Sequence, residues 1–276
     1  MFRPGPSHSL FLLLFLSCFT AFSSNDSSLQ GSRASAMGGA SLCLTDVWST
    51  EHNQAALGFL KCPQAAAAYE NGFGLKELQL AGFCFALPSP HSGTFGIYCS
   101  SLGNLSYQEN KCGLSYARKF GSRFSAGVQL DYLGTRIGEG YGARNTATAE
   151  AGILVIVVKG LRLGVHLNNP GRQRLASYND ERYPTTLRAG LLYSSSPHVL
   201  LALETEKDNL HPPLFRCGIE YSHGEFFHVR AGISTNPLLF CFGFGFRKGS
   251  MLMDFSSSWH EVLGISPGIG LGYLFQ

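Results

Sequence analysis

Residues 227–255 read FHVRAGISTNPLLFCFGFGFRKGSMLMDF, and the alternation within this stretch decides the fold. From Phe240 to Phe246, phenylalanine fills every second position, with cysteine or glycine between. Successive side chains of a β-strand point to opposite faces, whereas a helix would repeat its apolar residues three and four apart. Because Asn236-Pro237 and Lys248-Gly249 divide the stretch, it predicts consecutive strands joined by tight turns.

The same two-residue period continues outward from this stretch over most of the chain. Apolar residues alternate with glycine, charged or small polar residues, for example in 124–132 and 161–168. Turn residues such as Asn169-Pro170-Gly171 separate these segments. The pattern predicts about fourteen strands, with twelve as the alternative count. The strands are expected near 64–71, 76–86, 92–101, 110–119, 123–135, 146–158, 161–169, 185–194, 197–206, 214–223, 225–234, 237–247, 250–260 and 265–275.

The larger side chains of these strands lie on the apolar face, and this indicates whether the outside of the protein meets water or lipid. An open sheet of this size would expose unpaired edges and a large apolar surface to water. A closed antiparallel barrel removes the edges and turns the apolar face to lipid. We therefore predict an all-β transmembrane barrel, in which the phenylalanine row 240–246 faces lipid rather than a ligand groove. The alternative is a secreted β-sandwich or a soluble small-ligand barrel.

The composition narrows the possible functions. Hydrophobic residues make up 45% of the chain and charged residues 14%, which excludes a disordered chain and a coiled coil. There are 21 Lys and Arg against 18 Asp and Glu, so the net charge of +3 predicts no nucleic-acid partner. Because the sequence has no HExxH and no P-loop motif, we predict no enzymatic activity and no cofactor.

The first residues are typical of a secretory signal peptide. Arg3 precedes the apolar run Leu10–Phe22, and the small residues Ser23 and Ser24 follow it. The run is shorter than the roughly 20 residues that a membrane-spanning helix needs. We predict cleavage near Ser23 or Ser24, with a lipoprotein cysteine at Cys18 as the alternative.

Charged residues of the predicted strands fall on the narrower, polar face, which would line the interior of the barrel. Both signs are present, so we expect ion pairs within the lumen rather than a charge-selective pore. The lumen-facing candidates are Asp131, Arg162, His166, Arg188, Arg216, Glu220, Arg230, Arg247 and Asp254.

Eight cysteines leave the redox state of the chain open. Without Cys18 seven remain, and an odd number cannot all pair within one chain. There is no CxxC motif and no cysteine–histidine cluster with zinc spacing, so we predict no metal site. Because Cys84, Cys217 and Cys241 lie in strand-like runs, we interpret them as small hydrophobic residues.

Two segments resemble known outer-membrane proteins. The last strand reaches Phe275 and resembles the insertion signal of bacterial outer-membrane barrels, although Gln276 follows it. Residues 31–60 read GSRASAMGGASLCLTDVWSTEHNQAALGFL and resemble the N-terminal segment of the PorV/PorQ family, which is related to the FadL-type channels. That family has Asn-Pro-Ala where this chain has Asn53-Gln54-Ala55. The matching positions are Gly31, Arg33, Met37, Gly38, Gly39, Asp46, Asn53 and Ala55.

The resemblance implies a division of the chain into three parts. Residues 1–24 would be the signal peptide, 25–62 an N-terminal plug, and 63–276 a barrel in the bacterial outer membrane. Within the plug, Thr45 or Asp46 can cap a short helix from Val47 to about Leu57. The plug would either stabilise the barrel as a fixed element or move as a hatch.

The resemblance also implies a barrel associated with type IX secretion, with secretion components or secreted cargo as partners. One alternative is a FadL-like channel for small hydrophobic molecules, and another is a structural barrel without transport. In each case lipid of the outer membrane surrounds the barrel. A fold does not by itself choose among these functions.

Overall fold

Fourteen antiparallel strands form one closed barrel in the computed structural model, which describes residues 28–138, 142–173, 183–209 and 211–275. Each strand pairs with its neighbours in sequence, and the last pairs with the first from Gln64 opposite Leu274 onward. The prediction of about fourteen strands is confirmed, and the alternative count of twelve is wrong. The predicted signal peptide lies outside the described residues. The strands are β1 (Gln64–Asn71), β2 (Gln79–Ser89), β3 (Gly93–Gly103), β4 (Tyr107–Phe120), β5 (Phe124–Ile137), β6 (Gly142–Val158), β7 (Leu161–Asn168), β8 (Thr186–Ser194), β9 (Val199–Asp208), β10 (Leu214–His223), β11 (Phe227–Ser234), β12 (Leu239–Lys248), β13 (Met251–His260) and β14 (Gly264–Leu274).

The alternation of exposure along each strand shows which face meets lipid. In β5, Leu130 is 70% exposed, whereas its neighbours Gln129 and Asp131 are 1% and 2% exposed. This is the reverse of a water-soluble protein, in which the apolar face is the buried one. In β12, Phe240, Phe242 and Phe244 also point outward. The barrel is therefore a transmembrane barrel, and the soluble sandwich alternative is wrong.

The two ends of the barrel differ in the length of their connections. Gln64 and Leu274, which begin and end the barrel, lie at one end, here called the proximal end. The turns at this end are short, as at 159–160 and 249–250. The opposite, distal end carries longer connections, including 72–78 between β1 and β2. Short turns are typical of the periplasmic side of outer-membrane barrels, and longer loops of the opposite side.

Short helical segments flank β1. Helix α1 (Ser32–Ala36), helix α2 (Ser49–His52) and a 3₁₀ segment (Gln54–Phe59) precede it. Two further 3₁₀ turns, Gly72–Gly74 and Lys76–Leu78, follow β1, so β2 begins three residues later than predicted. Within the described residues, no helix has the length and apolar character needed to cross a bilayer.

The helix predicted from Val47 to about Leu57 is broken in two. At Asn53 the backbone is extended, with φ −170° and ψ 103°, so α2 ends before it. The Asn53 side chain then accepts a hydrogen bond from the backbone N–H of Ala55, which starts the 3₁₀ segment. A short polar side chain that bonds nearby backbone competes with helix continuation in this way.

Residues 28–62, here called the plug, fill the interior of the barrel. Leu29, Met37 and Leu57 are each at most 1% exposed. The plug approaches wall backbone closely at Gly38, where an added Cβ would lie 2.8 Å from the backbone nitrogen of Ile233. Gly38 also has φ +68°, so both its conformation and its contact with the wall require glycine.

Candidate functional site

Three groups of buried ion pairs and two apolar regions join the plug to the barrel wall. The first group is the Arg33 cluster. The Arg33 guanidinium, just inside α1, donates to both carboxylate oxygens of Glu220 on β10, at 2.6 and 2.9 Å, and to Asp46 at 3.2 Å. Arg230 on β11 donates to Glu220 at 2.6 Å and to Asp254 on β13 at 2.5 Å. Burial disfavours charge on Arg33, but Glu220 and Asp46 outweigh it and hold the pKa of this guanidinium above its ordinary value.

The second group is the Glu204 cluster. The Glu204 carboxylate on β9 accepts from Arg188 on β8 and from Arg216 on β10, each at 2.8 Å. Its other oxygen accepts the backbone N–H groups of Ser41-Leu42 in the plug, both at 3.0 Å. Arg216 also donates to Glu206 at 2.6 Å. A charged wall residue therefore holds plug backbone directly, in the stronger, charge-assisted form of hydrogen bond.

The third group is the Lys111 cluster, which contains more acids than bases. The Lys111 ammonium on β4 contacts Glu51 of the plug at 2.9 Å and Glu150 on β6 at 2.8 Å, with Asp131 on β5 at 3.9 Å. Burial raises the pKa of Glu51 to about 7, and Lys111 only partly opposes this effect. At neutral pH the Glu51 carboxyl therefore carries a proton for part of the time.

Amide and imidazole groups complete the polar side of the plug. The Gln54 amide donates to Glu150 at 2.6 Å, and the His166 ring nitrogen Nε2 lies 3.1 Å from the same carboxylate oxygen. His52 contacts the Gln30 carbonyl through its own Nε2 at 2.8 Å. Burial lowers the pKa of His52 to about 4, so the ring is neutral and must donate from Nε2 to this carbonyl.

One apolar region packs Leu42 and Leu44 of the plug against Leu154 on β6 and Leu192 on β8. The other, here called the seam, lies between the plug and strands β1 to β4. At the distal end Leu102 packs against it, and at the proximal end Leu60 does so, so the seam runs along the lumen. Two wall hydroxyls bond to plug backbone within the seam: that of Tyr98 contacts both backbone N and O of Leu29, at 3.1 and 3.2 Å, and that of Thr94 donates to the Leu57 carbonyl at 3.0 Å. The buried members are Leu29, Val47, Trp48, Leu57, Ala66, Ala68, Leu80, Cys84, Ala86, Tyr98 and Ala117.

Two small cavities open near the distal end of the lumen. One has a volume of about 30 Å³ and is lined by Leu102, Leu133 and Tyr183, among others. The other, of about 50 Å³, has a mainly polar lining that includes Glu51 and Lys111. A single water molecule needs roughly 10–15 Å³ measured in this way. Each of these two cavities therefore accommodates a few water molecules and no larger molecule.

Most of the predicted lumen residues lie in these clusters, but two do not. Arg162 donates to the Thr45 hydroxyl at 3.1 Å and to the Cys43 carbonyl at 3.4 Å, outside any cluster. Arg247 is exposed beside the proximal turn of β12, and makes no ion pair with the described residues. The clusters contain Asp131, His166, Arg188, Arg216, Glu220, Arg230 and Asp254.

Sequence reasoning missed Glu51, Lys111 and Glu150. Lys111 and Glu150 occupy inward positions of their strands, so the two-residue period contained the signal for them. Glu51 had no such signal, because it precedes the strands and lies in a four-residue helix.

The positions of the N-terminal motif are distributed through the plug. An added Cβ at Gly31 would lie 2.6 Å from the Trp48 ring, and one at Gly39 would lie 2.9 Å from Gln30, so neither position has room for a side chain. The Asn53 amide donates to the carbonyls of Leu42 and Ile153, both at 3.2 Å, and thereby joins plug to wall. Met37 and Ala55 are fully buried.

One short serine motif in the sequence lies on a barrel strand. Residues 264–268 read GISPG and formally match the GxSxG motif of serine hydrolases. Ser266, however, lies within β14 rather than at a strand-to-helix turn, and its hydroxyl accepts the backbone N–H of Phe73. The described residues contain no group of three or more side chains suited to hold a metal ion.

Comparison with known proteins shows the fold and not the family. No protein-family model matches the sequence, and no curated protein matches it. The toluene transporter TbuX of Ralstonia pickettii has a TM-score of 0.71 at 12% identity, over 89% of this chain and 98% of that one. The CymD monoaromatic hydrocarbon channel has a TM-score of 0.66 at 13% identity, over 89% and 97%. A Pseudomonas aeruginosa FadL homologue has a TM-score of 0.65 at 12% identity, over 90% and 99%.

Proposed function

We propose that the chain is a bacterial outer-membrane barrel that admits small hydrophobic molecules, with the proximal end in the periplasm. The shared fold with a toluene transporter and a monoaromatic hydrocarbon channel supports this proposal. The observation that carries it is the seam, which connects Leu102 beside the distal cavity to Leu60 at the proximal end. In the closed structure plug side chains fill this route, so passage requires the plug to shift.

The free energy needed to move the plug away from the wall differs between the ion-pair clusters and the seam. On the side of the Arg33 and Glu204 clusters, movement would separate buried ion pairs, and one broken pair costs about 3–5 kcal/mol. On the seam side, only the neutral hydrogen bonds of Tyr98 and Thr94 to plug backbone are directional among the described contacts. An apolar guest replaces the remaining apolar contacts with others, because such contacts have no directional requirement. We therefore propose that the plug opens along the seam and stays fixed at the ion pairs.

A reversible cross-link across the seam tests this proposal. An added Cβ at Gly96 on β3 lies 2.7 Å from the Thr50 methyl carbon, so Thr50→Cys with Gly96→Cys places two thiols in bonding range. The matched control is Thr50→Ser with Gly96→Ser, which fills the same space without a bond. Cells that produce each variant are supplied with radiolabelled toluene, before and after reduction.

We expect wild-type and serine-control cells to take up toluene faster than cells with an empty vector. Oxidised double-cysteine cells should fall to the empty-vector rate and recover on reduction. If uptake continues while the cross-link is shown to be complete, opening along the seam is wrong. If wild-type uptake equals that of the empty vector, hydrophobic passage itself is wrong.

The closed lumen favours a second candidate, a barrel that binds protein partners and transports nothing. Cavities of about 30 and 50 Å³ are too small for any hydrocarbon unless the plug moves. The resemblance of residues 31–60 to the PorV/PorQ family makes type IX secretion components or secreted cargo the partners to test. Loss of secreted proteins on deletion of the gene, without a change in toluene uptake, would favour this candidate.

A further inference from the structure

Two cysteines on the lipid-facing side of the barrel lie directly opposite each other. Cys99 on β3 is the register partner of Cys112 on β4, and their sulfur atoms are 2.8 Å apart. Both belong to the outward set of their strands, together with Ile97 and Leu114, which are 44% and 66% exposed. We propose that Cys99 and Cys112 form a disulfide that joins β3 to β4.

The position of the pair within the ladder suits this bond. The N–H of Asn104 donates to the carbonyl of Tyr107, which makes these two residues a hydrogen-bonded pair at the hairpin end. Hydrogen-bonded and non-hydrogen-bonded pairs alternate along an antiparallel ladder. Cys99 and Cys112 are each five residues away, so they form a non-hydrogen-bonded pair. There the Cα atoms lie about 4.5 Å apart, within the roughly 4.4–6.8 Å range of disulfides.

None of the other described cysteines is opposite a second cysteine. Cys84 faces Ala66 and Tyr98, Cys217 faces Leu203 and Ile233, and Cys241 faces Gly232 and Ser258. The remaining two, Cys43 and Cys62, lie in the plug before β1. The seven described cysteines would thus form one disulfide and leave five free thiols.

The oxidation requires an external disulfide, for which we name a periplasmic thiol oxidase that carries one. The Cys99 thiolate attacks a sulfur of that disulfide, forms a mixed disulfide and releases one oxidant thiolate. The Cys112 thiolate then attacks the Cys99 sulfur, forms the cross-link and releases the second oxidant thiolate. Two electrons pass from the two cysteine sulfurs to the oxidant, and the two thiol protons end on its sulfurs. Because both sulfurs face lipid afterwards, the reaction precedes membrane insertion.

The cross-link would hold one wall of the distal cavities. Ser100 follows Cys99 and Lys111 precedes Cys112. Both residues face inward and line a cavity. Fixing Cys99 to Cys112 therefore fixes the register that brings Lys111 to Glu51 of the plug. This inference rests on the outer-membrane location proposed above, but not on hydrophobic passage, which the toluene experiment tests separately.

The experiment counts thiols in cells that are quenched with acid before lysis. The denatured protein is alkylated with a polyethylene-glycol maleimide, with or without prior reduction. We expect five of the seven cysteines of the described chain to react without reduction and all seven after it. Trypsin cuts after Lys111 and so separates the two cysteines, and the peptide 112–118 should stay joined to 77–111 until reduction.

Single variants identify the bond. Cys99→Ser should free Cys112, so that six thiols react without reduction. Cys217→Ser is the control, because Cys217 also faces lipid but has no opposite cysteine, and two thiols should remain protected. Reaction of all seven thiols in unreduced wild-type protein would overturn the proposal, as would a tryptic cross-link that survives in Cys99→Ser.

Discussion

Arg33 of the plug and Glu220 of the barrel wall form a two-point ion pair, 187 residues apart in sequence, with hydrogen bonds of 2.6 and 2.9 Å. Two parallel bonds fix the orientation of both groups, which a single contact does not. Because Glu220 also accepts from Arg230, this one carboxylate links the two arginines of the Arg33 cluster.

Removing the charge of Glu220 should weaken the barrel strongly. Glu220→Gln removes the carboxylate that Arg33 and Arg230 share and so breaks a buried ion pair of each, at a cost of about 3–5 kcal/mol. The free energy of unfolding, from urea titration in detergent micelles with gel mobility as the readout, measures the loss. Arg247→Gln is the control, because Arg247 is exposed and should change stability by no more than about 0.5 kcal/mol. Equal losses in the two variants would contradict the structure.

The stability of the barrel should fall as the pH rises through neutrality, because of Glu51. Burial raises the pKa of this carboxyl from 4.5 to about 7 in the folded protein. The folded state therefore binds the proton more tightly than the unfolded state, and the stabilisation is full below pH 4.5 and lost as the pH passes 7. Glu51→Gln should remove this part of the pH dependence, measured as the urea midpoint from pH 5 to 8. The exposed Glu225→Gln should leave it intact, and a wild-type midpoint that rises with pH over this range would refute the assignment.

A side chain at Gly232 should push the plug away from the wall. An added Cβ there would lie 2.6 Å from the Met37 carbonyl oxygen and closer still to neighbouring plug backbone. Overpacking of this kind costs about 1–3 kcal/mol. We expect Gly232→Ala to make the plug more susceptible to added protease, measured by the rate of cleavage before β1. Gly272→Ala is the matched control, because its Cβ would meet Leu252 at an ordinary 3.4 Å.

A cross-link on the ion-pair side should leave transport intact, unlike the one across the seam. An added Cβ at Gly164 lies 2.9 Å from the Cys43 sulfur, so Gly164→Cys supplies the second thiol of a bond between plug and β7. We expect oxidised Gly164→Cys cells to take up toluene at the rate of the Gly164→Ser control. Complete loss of uptake on oxidation would show that the plug leaves as a whole rather than opening along the seam.

The barrel was predictable because its signal is local. The two-residue spacing of Phe240, Phe242 and Phe244 predicts that they share the outward face of a strand. Asn236-Pro237 and Lys248-Gly249 predict the turns on either side. The inward positions of Arg188 and Glu220 followed from the same period. The period also contained Lys111 and Glu150, which reasoning from the strongest alternations overlooked.

The plug was predictable in existence but not in detail. The resemblance of residues 31–60 placed a plug before β1, yet the helix expected through Asn53 is broken there. The break depends on the Asn53 side chain, which bonds to Ala55 nearby and to Ile153 on the wall. A capping pattern alone contains no information about that second contact.

The sequence by itself therefore determined a closed transmembrane barrel, because strand alternation is a property of neighbouring residues and the apolar face requires lipid. Only the tertiary structure decided where the ion pairs and the two apolar regions lie around the plug. Contacts such as Glu51 with Lys111 and Arg33 with Glu220 join residues whose separation bears no relation to any period. These contacts form because close packing against the wall fixes the position and orientation of the plug inside the barrel.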